Sequence, residues 1–127
     1  MRAETSRETP MAGQALRLCR LEEIPDGTAR GFLFGQGPAR LDLFVYRRGE
    51  RLHAYRNACP HQGTPLETVP DRFLTVDGTR FLCTTHGAQF RIEDGLCTKG
   101  PCKGKSLEPL PVRLEEGWVV LPAGAAR

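Results

Sequence analysis

The sequence predicts an all-β protein, a sandwich or small barrel. Three observations carry this. The 127 residues include 14 Gly and 10 Pro, which interrupt helices and mark turns. Short runs rich in Phe, Leu, Val and Tyr recur at regular spacing between those turns. The longest uninterrupted stretch, Gln14 to Ile24, alternates apolar with polar residues and lacks a three-to-four-residue repeat.

In chain order, residues 1–13 are polar and aperiodic and read as a flexible leader. Leu16 and Leu18 alternate against Arg17, and Ile24-Pro25-Asp26-Gly27 has turn chemistry. Gly31 to Phe34 is a short predicted strand. Leu41 to Tyr46 is a stronger one, apolar on both faces, and Arg47-Arg48-Gly49-Glu50 turns it into a strand over 51–57. Phe73 to Val76 and Thr79 to Cys83 flank Asp77-Gly78, a two-residue hairpin signal. Gln89 to Ile92 is followed by Glu93-Asp94-Gly95, and Gly100-Pro101-Cys102 forms a further loop. Leu110, Val112 and Leu114 alternate with polar residues or Pro, and Trp118 to Leu121 is predicted to close the sheet, with Trp118 and the Phe residues in the core.

Composition excludes several functions. Charged residues make up 26% of the chain and the net charge is +3, close to an average globular domain. The densest basic run, Arg47-Arg48 with Arg51, reads as a solvated hairpin end and not a nucleic-acid patch. No apolar run is long enough to span a bilayer, and the first 14 residues lack a signal-peptide core, which predicts a cytoplasmic protein. Five Cys without an export signal favour metal ligation over a disulfide framework.

Two stretches carry the chemistry: Cys59-Pro60-His61-Gln62-Gly63-Thr64 and Cys83-Thr84-Thr85-His86-Gly87-Ala88. They read C-x-H, 21 intervening residues, then C-x-x-H. Each offers one thiolate and one imidazole, with Gly63 or Gly87 close behind. A zinc site of two Cys and two His pairs like with like; here each half is mixed. Glycine permits a positive φ and lets a loop approach inorganic sulfide closely.

This paired motif resembles the Rieske family, which binds a [2Fe–2S] cluster with two Cys on one iron and two His on the other. The resemblance covers most of residues 14–121. It implies an antiparallel β-sandwich with a small cluster-binding subdomain, mapped here to about 57–103 within a domain over 14–122, followed by a tail at 123–127. It implies one [2Fe–2S] cluster held by Cys59, His61, Cys83 and His86, with Gly63, Gly87, Ala88 and Pro101 around it. Gly100-Pro101 matches the family's covering loop. The 21-residue gap exceeds that of the simple ferredoxins, and the Asp77-Gly78 hairpin accounts for the excess.

The mixed ligand set has an electrostatic consequence. Two ferric ions, two sulfides and two thiolates sum to zero charge, whereas four thiolates leave the centre doubly negative. Rieske centres therefore lie at roughly −150 to +300 mV, against about −400 mV for plant-type clusters. High-potential respiratory members carry a Ser and a Tyr where this sequence has Ala88 and Phe90, and a loop-linking disulfide where it has Thr64 and Thr85. The resemblance is thus to soluble ferredoxin-type and oxygenase-type domains, with a potential at the low end of the range.

The implied function is single-electron transfer from a reductase to an oxygenase or similar partner, docking near His61 and His86. The alternatives are a small subunit of a multi-chain oxidoreductase, of nitrite-reductase or oxygenase type, and a zinc-bound interaction module. No catalytic residue is assigned. Of three His, two belong to the motif, which leaves no set for a mononuclear iron site, and His53 reads as an outward-facing strand residue. Cys19 reads as an inert buried thiol. Cys97 and Cys102 admit several readings: thiols packed in a loop, which is the simplest, donors near the cluster, a reversible disulfide, or extra ligands.

Overall fold

In the computed structural model, residues 15–35, 37, 40–60, 63–67, 69, 71–84 and 87–122 are described. The leader at 1–13, the tail at 123–127 and both motif histidines, His61 and His86, lie outside the described residues.

Ten strands follow in order: β1 (Leu16–Arg20), β2 (Ala29–Phe34), β3 (Leu41–Arg48), β4 (Arg51–Arg56), β5 (Arg80–Cys83), β6 (Ala88–Arg91), β7 (Cys97–Lys99), β8 (Pro109–Leu110), β9 (Arg113–Glu115) and β10 (Trp118–Leu121). Among the described residues the only helical element is one 3₁₀ turn, Leu21–Glu23. All named pairings are antiparallel and form three sheets: β1-β10-β9, β2-β3-β4-β8 and β5-β6-β7. The fold is all-β, as the sequence predicts.

The middle sheet explains the unusual β3 sequence. Successive strand residues face opposite sides. Leu41, Leu43 and Val45 enter one core, with Leu16, Leu18, Val119 and Leu121 of the β1-β10-β9 sheet. Phe44 and Tyr46 enter a second core, with Phe81, Phe90, Cys83 and Ala88 of the β5-β6-β7 sheet. A sheet covered on both sides needs apolar residues at every position. Phe44 stacks on Phe73 at 4.5 Å and meets Phe81 edge-on at 4.9 Å. These rings fix the small third sheet to the rest of the molecule.

Several local expectations need correction. The Asp77-Gly78 segment closes a wider turn: Thr75 N–H donates to Arg80 O at 2.9 Å, and Leu74 forms only an isolated bridge to Phe81. Asp77 accepts from both Thr75 and Thr79 hydroxyls, which favours this wider turn over a two-residue hairpin, and leaves Val76 fully exposed. The run from Leu110 to Leu114 is not one strand. Pro111 has no N–H to give a ladder, and the chain leaves the middle sheet at β8 to join the outer sheet at β9. β10 is the centre of its sheet, not its closing edge. Trp118 is half-buried, because Val119 and Leu121 take the inner face. The Arg17 and Arg20 guanidiniums cover its ring at 5.0 and 5.3 Å. Arg47 is not a solvated charge; its guanidinium donates to the Ile24 and Gly49 carbonyls at 2.9 and 2.7 Å. His53 is half-buried beside the Tyr46 ring.

Candidate metal centre

The two motif stretches leave neighbouring strands and fold alike. β4 delivers Cys59, and β5 ends on Cys83. In each, the Gly four residues after the Cys donates its N–H back to the Cys carbonyl: Gly63 to Cys59 at 2.6 Å and Gly87 to Cys83 at 2.9 Å. Both glycines sit at φ 75°, a conformation an L side chain enters only with strain. The His is offset by one residue between the motifs, yet the turn closes at the same place. A Cβ on either glycine would meet no protein atom within 4 Å. The backbone angle, not crowding by the protein, is therefore what requires glycine here.

A polar tie that no sequence motif singles out holds the two loops together. Asn57 is buried. Its Oδ1 accepts from Leu66 N–H at 2.8 Å, and its Nδ2 donates to Glu67 and Asp42 at 2.9 and 3.2 Å. Leu66 O in turn accepts from Thr84 N–H at 3.0 Å and Thr84 Oγ1 at 3.1 Å. The middle sheet, the first loop and the second loop are thus joined through one buried residue. Burial pushes the Asp42 carboxyl up, against the opposing Asn57 hydrogen bond. The available signal was a lone Asn between strand β4 and Cys59, which has a partner requirement once buried.

The third loop lies against the second. Gly100 has φ 107°, and a Cβ there would stand 2.7 Å from the Ala88 Cα. This is the close approach that requires a glycine. Ala88 is paired with Cys83 across β5 and β6, and Ala88 and Phe90 are both fully buried on one face. Pro101 is exposed on the turn that follows Gly100.

Four sulfurs share the second core: Cys59, Cys83, Cys97 and Cys102 are all at most 2% exposed. Cys19 is buried in the other core. None of the five forms a disulfide. Cys102 Sγ lies 3.0 Å from Cys97 Sγ, and Cys97 Sγ lies 3.3 Å from Lys99 O. Burial, with Cys97 and Cys59 beside it, pushes the Cys102 thiol up to about 12.

Residues 14–116 match the Rieske [2Fe-2S] domain family. The chain belongs to this family. The ferredoxin component of the alkene monooxygenase system of Xanthobacter autotrophicus strain Py2 is 28% identical over 106 residues, 82% of this chain and 77% of that protein. A chain of the complex of reduced oxygenase and oxidized ferredoxin in carbazole 1,9a-dioxygenase superposes with a TM-score of 0.69 at 27% identity, covering 91% of this chain and 97% of its own. The ferredoxin of Sphingomonas yanoikuyae B1 superposes with a TM-score of 0.63 at 28% identity, covering 86% and 98%.

The cofactor of this Rieske domain is one [2Fe–2S] cluster per chain. The described residues fit it. Two buried thiols outside any disulfide reach the same core from twin loops, and soft thiolates are the donors that select iron–sulfur centres. When bound, the cluster supplies a one-electron couple. What the chain supplies is rigidity: positive-φ turns, the Asn57 tie and a third loop seated on Ala88 all limit rearrangement around the sulfurs.

Proposed function

We propose that this chain is a Rieske ferredoxin that carries single electrons from a reductase to a terminal oxygenase. The carrying observation is that similarity runs almost end to end with ferredoxin components of oxygenase systems, including 97% of a chain from a ferredoxin–oxygenase complex. In this reading Cys59 and Cys83 ligate one iron and His61 and His86 the other. The cluster-binding subdomain spans about 57–103 within a domain over 14–122. Residues 1–13 and 123–127 are a leader and a tail. Gly63 and Gly87 set the loop turns, Ala88 lines the back of the centre and Pro101 covers it. Partners dock at the loop end, where the histidines serve as the electron port. The chain works in the cytoplasm; no helix among the described residues is long and apolar enough to cross a membrane.

The test is visible absorption and low-temperature EPR on anaerobically purified protein, before and after dithionite, followed by stopped-flow reoxidation by an oxygenase. A red-brown protein that bleaches, gives a reduced signal of low average g and passes its electron on supports the reading. A colourless protein holding stoichiometric zinc after iron-replete expression overturns it. Stable copurification with a large chain would instead favour the subunit role.

A further inference from the structure

The proposed electron transfer leaves two buried sulfurs without a task. Cys97 ends no loop and Cys102 follows Gly100-Pro101, yet their Sγ atoms stand 3.0 Å apart and both are at most 2% exposed. A disulfide needs two sulfurs about 2 Å apart, so closure requires a shift of roughly one ångström. The backbone already holds the ends of this segment together. Cys97 N–H donates to Lys105 O at 2.7 Å, Gly104 N–H donates to Cys97 O at 3.0 Å, and Lys105 N–H donates to Cys102 O at 2.9 Å. Lys99, Gly100, Pro101 and Lys103 are exposed around the pair, so opening a single surface turn admits a small reagent. Cys59 lies beside Cys102, but as a cluster ligand it is committed to iron; this clause rests on the proposed ligand set. Cys97 is then the sulfur free to pair with Cys102.

We propose that Cys97 and Cys102 are a dithiol–disulfide couple, a reversible modification site that exchanges two electrons with small-molecule disulfides beside the one-electron cluster. One chain thiolate attacks a sulfur of the small disulfide. The small disulfide's S–S bond breaks, a mixed disulfide forms and one small thiolate leaves to take a proton. The second chain sulfur, losing its proton, then attacks the first, the chain disulfide closes and the second small thiol departs. The chain loses two hydrogens and two electrons, and the small disulfide becomes two thiols. The bridge ties β7 to the loop seated on Ala88 and lies at a different place from Thr64 and Thr85.

The test is equilibration of the cluster-loaded protein in buffers of oxidised and reduced glutathione, acid quenching, and maleimide counting of thiols in the denatured, metal-free chain. Oxidation should lower the count from five to three, lighten the intact chain by two hydrogens, and leave tryptic fragments 92–99 and 100–103 joined. Cys97→Ser should hold its four remaining thiols in every buffer. The visible spectrum is followed throughout. A count of five in the most oxidising buffer, or a bridge mapped to Cys59, overturns the proposal. If the protein proves colourless while 92–99 and 100–103 still join, the cluster reading fails and the disulfide site stands.

Discussion

Two buried residues illustrate how single side chains set the properties of this molecule. Ala88 occupies the position beside Cys83 where high-potential relatives place a hydroxyl, and Phe90 is on the same buried face. Without those donors the extra electron on the sulfurs is less stabilised. Ala88→Ser should raise the midpoint potential by roughly 40–80 mV, the one-electron equivalent of a hydrogen bond contributing about 1–2 kcal/mol. A spectroelectrochemical titration checks this, and the parent midpoint should lie far below the +300 mV upper end of the Rieske range. Tyr55 acts on stability. Its hydroxyl donates to Ile92 O at 2.7 Å, and burial pushes its pKa up to about 12 from 10.0. Because the folded value is the higher one, the contribution is fully present below pH 10 and is lost as pH rises towards 12. Tyr55→Phe should cost about 1–2 kcal/mol at neutral pH and flatten the alkaline limb of a melting-temperature profile.

At the scale of elements, the connections between strands are where the site is made. Asn57 ties the end of β4 to Leu66, and Leu66 receives Thr84 at the end of β5. Asn57→Ala leaves a buried Leu66 N–H without its acceptor, at a cost of about 1–3 kcal/mol. The cluster should then bleach faster under an iron chelator, in a time course of visible absorption. The turn at 75–80 is held by Asp77, whose carboxylate accepts from Thr75 and Thr79 and is lowered to about 2 by those hydrogen bonds. The folded value is the lower one, so this stabilisation is present above 3.8 and is lost as pH falls towards 2. Asp77→Asn should flatten the acid limb of the profile, and circular dichroism melts across that window check it.

For the whole molecule, the three sheets differ in what supports them. The middle sheet is buried on both faces, whereas the β5-β6-β7 sheet has three short strands and one covered face. Its loops carry Cys83 and the Gly100 turn. A metal centre shared with the Cys59 loop adds a cross-link between this sheet and the middle one, and binding to the folded state alone adds stability. Removing iron and sulfide by chelation should lower the melting temperature, and hydrogen exchange should rise first at 57–67 and 80–103. Uniform exchange over all three sheets would show that the centre contributes no local support.

Much of this protein is legible in its sequence, because the signals are local. The Gly and Pro spacing dictates short strands, and all six Phe residues are buried. The Cys59–Gly63 and Cys83–Gly87 stretches carry ligand types and a positive-φ requirement within a few residues. Tertiary structure alone decided the rest, because those features depend on chain segments far apart in sequence. Pairing of β8 and β9 with different sheets follows from where Pro111 meets two edges, not from the alternation around it. The exposure of Trp118 follows from which β10 face the core accepted. The Asn57 tie exists because Leu66 and Thr84 meet it in space. The nearness of Cys97 to Cys102 depends on hydrogen bonds from Gly104 and Lys105 that no motif announces.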